Sequence, residues 1–170
     1  MINIMRNTTP VCRLAAAGFT LIELIATMMI VAILAVVALP RMINRGDYDA
    51  VAFRDGTLAL LRYAQKSAIA QRRNVCVAFT AQTVTLTIAA NPGNLQACPG
   101  GNLAGPDGNV PATVAVPAAA PATVAYQATP AGFNFRALGD TSLASNLTTT
   151  VGGATGTITV ERATGYVRLQ

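Results

Sequence analysis

The sequence predicts an α+β protein: a long N-terminal helix, apolar in its first part and amphipathic in its second, packed on a small antiparallel β-sheet domain. Three observations carry that prediction. From Phe19 to Leu39 run twenty-one residues whose only charge is Glu23. From about Asp49 to Arg73, apolar residues recur at a helical period. After Arg73 the period shortens to two, the mark of half-buried strands.

The first run, as a helix, would be about 31 Å long, enough to cross the hydrocarbon layer of a bilayer. Twelve of its residues are Leu, Ile, Val or Phe. Together they supply on the order of −4 to −7 kcal/mol of insertion free energy. An acid costs at most about 3.5 kcal/mol in mid-membrane, and Glu23 sits near one end, so insertion dominates. Pro40 has no N–H to donate four residues back, which predicts a bend or pause there. Gly46-Asp47 is a second weak point.

In the second helical stretch Phe53, Leu60, Leu61, Ala64 and Ala68 fall within an arc of about 100°. Asp55, Arg62, Lys66 and Arg73 fall within about 40° on the opposite side. The apolar arc should pack on a sheet. Arg62 and Lys66 are four apart with no acid at helical spacing, a mildly repulsive arrangement. It fits a solvated face, or contact with an acidic neighbour such as another subunit or a nucleic-acid backbone.

NVCVAFT (74–80) and TVTLTIA (83–89) alternate and are rich in Thr and Val, so they read as a strand pair. Val75, Val77 and Phe79 share one face of the first; Val84, Leu86 and Ile88 share one face of the second. Residues 91–111 are turn chemistry throughout, a long loop. Shorter strands are predicted near 112–116, 123–127, 133–136 and 147–151. The last segment reads as a hairpin, with Ile158 and Val160 facing Val167 and Leu169 across Ala163-Thr164-Gly165. Gly165 takes the left-handed position of that turn.

Composition narrows the function classes. The chain has no His and only 11% charged residues, which suits a β-rich extracytoplasmic module better than a cytosolic enzyme. The net charge of +5 includes Arg6 and Arg13, which precede Gly18. Without them ten basic residues face seven acidic ones, a surplus that does not demand a polyanionic partner. No nucleophile elbow, phosphate loop or metal-ligand cluster occurs, and Asp107 and Asp140 read as turn residues. No enzymatic activity, metal or cofactor is expected. Cys12 lies before Gly18, leaving Cys76 and Cys98 as a pair. In an exported domain they favour a disulfide contributing about 3 kcal/mol, the alternative being two buried thiols.

Small residues Ala15, Ala16, Ala17 and Gly18 precede the apolar run, whereas a secretory signal peptide would place them after it. With Phe19-Thr20-Leu21-Ile22-Glu23-Leu24 following, the sequence resembles a type IV prepilin over about its first quarter. The resemblance implies a pilin-like architecture: residues 1–18 a leader, 19–39 a transmembrane and assembly helix, 40–73 its second half, and 74–170 a β-rich domain. It implies cleavage after Gly18 by a prepilin peptidase, N-methylation of Phe19, and Glu23 as the assembly residue. It also implies a single pass through the bacterial inner membrane with the C-terminal domain periplasmic, and then a pilus or pseudopilus. The partners would be other pilins or pseudopilins and an inner-membrane assembly platform. Charge does not set this orientation, since Arg6 and Arg13 flank one side of the span and Arg41, Arg45 and Arg54 the other.

Physics supplies a reason for the acid. A carboxylate in apolar surroundings needs a cation, and cleavage would create one at the Phe19 amine. A carboxylate that merely snorkels to the interface is the alternative.

The order helix, punctuated strands, then ITVERATGYVRL is similar to the GspH/FimT class of minor pilins and pseudopilins. Residues 61–79 also resemble minor pilins of mannose-sensitive haemagglutinin pili. Some FimT-like proteins bind DNA through a Gly-Arg-x-Arg element; here Gly165-Tyr166-Val167-Arg168 lacks its first arginine. Arg136, Arg162 and Arg168, with Arg62, Lys66 and Arg73, are the remaining candidates for phosphate contact.

Overall fold

The computed structural model describes residues 19–43, 46–93, 98 and 101–170, with the side chains of 37–43 outside that description. The chain divides into two compact units, residues 1–43 and 44–170.

The first unit contributes one helix, α1 (Leu21–Ile43). It runs through Pro40 rather than pausing there. Proline's fixed φ is itself helical, so one missing hydrogen bond does not end the helix. Among the described residues no helix is long and apolar enough to cross a membrane. The described side chains of α1 end at Val36, whereas the apolar run of the sequence continues to Leu39.

In the second unit α2 (Gly46–Gln71) starts at Gly46, with Asp47 and Asp49 in its first turn complementing the helix dipole. Its expected apolar arc is buried in full: Phe53, Leu60, Leu61, Ala64 and Ala68 are all core residues. That face lies on two antiparallel sheets. The larger is built around the hairpin of β1 (Val75–Phe79) and β2 (Thr83–Ile88), paired Val75 to Ile88 through Phe79 to Val84. The free edge of β2 is shared by β3 (Gly101–Asn102) and β4 (Thr113–Ala115), while β5 (Phe133–Phe135) adds to β1. The smaller sheet has the order β6 (Leu147–Thr149), β7 (Ile158–Val160), β8 (Val167–Leu169).

Two expectations are corrected. The turn-rich run 91–111 contains β3, which pairs with Thr87 and Ile88. Gly101 permits this, because a Cβ there would collide with the Ile88 carbonyl. Conversely, 123–127 is not a strand. A turn bonds Val124 N–H to the Pro121 carbonyl, and Tyr126 makes only an isolated bridge to Val151. The terminal hairpin forms as expected, with Val160 opposite Val167, Ile158 opposite Leu169, and Gly165 at φ +64°.

Polar contacts lock α2 on both flanks. Tyr63 donates to the Ala104 carbonyl at 2.6 Å, and Gln65 Nε2 reaches the carbonyls of both Gly139 and Thr164. Beneath the helix, the buried hydroxyls of Thr57 and Tyr126 are 2.8 Å apart. Burial pushes the Tyr126 phenol up to about 12, with the Thr57 hydrogen bond acting in the lowering direction. Tyr126→Phe should cost about 1–3 kcal/mol at neutral pH, because it strands the Thr57 hydroxyl. The unfolded phenol ionises near pH ~10. Tyr126 therefore contributes stability that is fully present below that pH and lost as pH rises through the folded value. Urea denaturation at pH 8 and 11.5 should show the wild type losing about 2 kcal/mol that Tyr126→Phe does not lose.

Candidate functional site

The N-terminus of α1 is the first candidate site. Thr20 caps the helix: its hydroxyl accepts from the Glu23 N–H at 3.3 Å, and its carbonyl accepts from the Leu24 N–H at 3.1 Å. Glu23 therefore sits in the first turn, where the helix dipole favours a carboxylate. Phe19 precedes the cap and is 79% exposed. The cap has a local signature that the expected site residues did not include, Thr-x-x-Glu ahead of an apolar run. Gly18 and the rest of the expected leader lie outside the described residues. From Phe19 to Val36 almost every described side chain of α1 is exposed, including Leu21, Ile22, Met28, Met29, Ile33 and Leu34. A helix apolar on all sides needs an apolar surrounding, whether lipid or other helices.

The basic residues form the second candidate. The structure spreads them over three elements and binds several of them locally. Arg136 pairs with Asp140 at 2.9 Å, and Arg168 pairs with Glu161 at 2.6 Å. Arg62 donates from Nε to the Val167 carbonyl at 3.1 Å, which brings it beside the hairpin carrying Arg168. Lys66 is exposed, Arg73 half-buried at the end of the helix, and Arg162 exposed near the hairpin turn. In the Gly165–Arg168 element, Tyr166 stands exposed where an arginine would stand, and Val167 points into the core.

Cys76 and Cys98 are joined in a disulfide, so the paired alternative is the one realised. The bond ties the turn-rich run to β1. Among the described residues no cluster of three or more His, Cys, Asp or Glu could hold a metal ion.

Residues 13–39 match the family model described as the prokaryotic N-terminal methylation motif. The chain thus carries a type IV prepilin-like N-terminus on an α+β body. Solved structures similar to it include two crystal structures of the type IV minor pilin FimU of Pseudomonas aeruginosa. The first, in space group P21, is 16% identical, covering 75% of this chain and 89% of that one at a TM-score of 0.46. The second, in space group P65, is 12% identical, covering 72% of this chain and 90% of that one at a TM-score of 0.44. No curated protein matches the chain.

Proposed function

We propose that this protein is a minor pilin or pseudopilin, a non-enzymatic structural subunit that initiates, caps or decorates a type IV pilus or a type II secretion pseudopilus. The observation that carries the reading is the methylation motif over 13–39, with Thr20 holding Glu23 in the first helical turn. A prepilin peptidase cuts between Gly18 and Phe19 and methylates the new amine. The apolar helix anchors the subunit in the inner membrane in a single pass, with residues 74–170 on the periplasmic side. During assembly it becomes part of the filament core, beside other pilins and above the inner-membrane assembly platform.

The Phe19 ammonium created by cleavage would sit at the positive end of a helix dipole, an unfavourable place for a cation. A carboxylate relieves it, and Glu23 of an adjacent subunit supplies one as the helices leave lipid. A DNA-uptake role has less support, because Arg136 and Arg168 already share their charge with Asp140 and Glu161.

Mass spectrometry of the protein from sheared surface filaments tests the reading. The N-terminal peptide should begin at N-methylated Phe19. A chain that keeps residues 1–18, or is absent from every filament preparation, would remove the proposal.

A further inference from the structure

The turn after β5 carries a large apolar side chain that the second unit does not use. Residues 136–140 close on themselves through two main-chain bonds of 2.8 Å, Arg136 N–H to the Asp140 carbonyl and Gly139 N–H to the Arg136 carbonyl. The Arg136–Asp140 ion pair braces the turn, and Gln65 of α2 donates to its Gly139 carbonyl. Leu138 stands at the tip and is 93% exposed. Two further exposed apolar side chains flank it. Ile69 of α2 lies against Gly139, and Tyr166 follows Gly165, which abuts the Gly139 carbonyl.

Cations surround this tip. The Arg162 carbonyl accepts from Thr141, next to the turn, and Arg62 reaches the Val167 carbonyl of the neighbouring hairpin. Lys66 is exposed one turn along α2 from Arg62. With Arg136 and Arg168, five basic residues stand around the turn and hairpin against two acidic ones, Asp140 and Glu161, and both acids are held in ion pairs. Among the described residues Lys66 and Arg162 are in no ion pair.

We infer that this tip docks on the surface of an anionic phospholipid bilayer. Leu138 enters the acyl boundary, Tyr166 and Ile69 sit at its edge, and Lys66 and Arg162 meet the lipid phosphates. One leucine buries too little to hold a protein on lipid, and two free cations bind too weakly. Together they supply the apolar and the electrostatic half of interfacial anchoring, and the contact is reversible and screened by salt. An acidic peptide fits the tip less well. Its apolar side chain would enter the cleft of about 410 Å³ lined by Arg136, Ala137, Leu138 and Asp140, and would take that ion pair out of water. At a bilayer the pair stays at the hydrated headgroup level. The contact belongs to the second unit's own surface and depends on neither leader cleavage nor filament assembly.

Co-sedimentation of the full-length protein, held in nanodiscs of neutral phosphatidylcholine, with dense vesicles tests it. Vesicles of phosphatidylcholine and phosphatidylglycerol in equal parts should bind it at least about tenfold better than vesicles of phosphatidylcholine alone, and high salt should abolish the difference. Leu138→Asp, and separately Lys66→Glu with Arg162→Glu, should each weaken that binding by about tenfold or more. All three side chains are exposed, and unchanged thermal unfolding confirms that these variants keep the fold. Val110→Asp, which alters an exposed apolar residue away from the tip, should bind like the wild type. Equal binding to both vesicles, or undiminished binding by Leu138→Asp, overturns the inference. So does a soluble peptide of alternating Asp and Phe, or duplex DNA, that binds the tip when anionic vesicles do not, since the partner is then a protein segment or a nucleic acid.

Discussion

Glu23→Gln should reach surface filaments at no more than about one-hundredth of the wild-type level, while its leader is still removed. On the proposed reading the two outcomes separate, because the cut would fall between Gly18 and Phe19, four residues upstream of Glu23. The Thr20 cap that orders this end uses the Glu23 backbone N–H, not its carboxylate. Assembly is different. In the proposed assembly, where helices shed lipid, the Phe19 ammonium would have to find a carboxylate or stay buried without one. Leaving one partner of a buried ion pair unmatched costs about 3–5 kcal/mol, a factor of a hundred or more in the assembly equilibrium. Glu23→Ala should behave like Glu23→Gln, whereas Glu23→Asp, with its shorter reach, should fall between. Immunoblots of sheared filaments against membranes, with mass measurement of the N-terminal peptide, read both effects. Wild-type incorporation of Glu23→Gln would show that the acid does not set assembly.

Phe53→Ala should destabilise the second unit by about 3–5 kcal/mol, the range for emptying a closed aromatic site. Phe53 is 2% exposed, and its ring lies 5.0 Å from that of Tyr126 at a tilt of 53°. It centres a small cluster with Ala50, Val124, Tyr126 and Val151, apart from the main core under Leu60 and Leu61. That cluster fastens the first half of α2 to the segments around Tyr126 and Val151, which lie outside both sheets and are joined by the Tyr126–Val151 bridge and by the Gln127–Thr150 and Gly152–Ala125 backbone hydrogen bonds. Against a typical domain stability of about 5–15 kcal/mol, the loss should lower the melting temperature by roughly 10–20 °C. Leu138→Ala removes a comparable amount of apolar surface from a site already in water, and should change stability by no more than about 0.5 kcal/mol. Thermal and urea denaturation of the two variants side by side give the comparison. A shift below about 1 kcal/mol for Phe53→Ala would mean that this cluster is not closed.

Much of the fold was legible because it rests on short-range periodicity. The apolar arc of α2, the β1–β2 hairpin and the terminal hairpin each declare their buried face within a few residues. Parity and position favoured a Cys76–Cys98 bond but left two buried thiols open, and the structure realises the bond. The misses are long-range. β3 is two residues within a Gly- and Pro-rich run, and it is a strand only because the edge of β2 offers it hydrogen bonds. Residues 123–127 alternate like a strand, yet the turn at Pro121 and a single bridge leave them outside both sheets. Thr20 was a different omission, since its capping signal is local and stands in the sequence.

Charge divides in the same way. The N-terminal signal, the lone Glu23 and the amphipathic stripe are properties of neighbouring residues, so the order of amino acids suffices to define them. Which cations keep their charge available depends on contacts between segments far apart in the chain. Arg62 reaches β8 across more than a hundred residues, while a folded turn joins Arg136 to Asp140 and a hairpin joins Arg168 to Glu161. Among the described residues Lys66 and Arg162 are in no ion pair, and the turn beside them holds Leu138 in solvent. Helical and strand periods are written into adjacent side chains; the meeting of distant surfaces exists only once the core has closed.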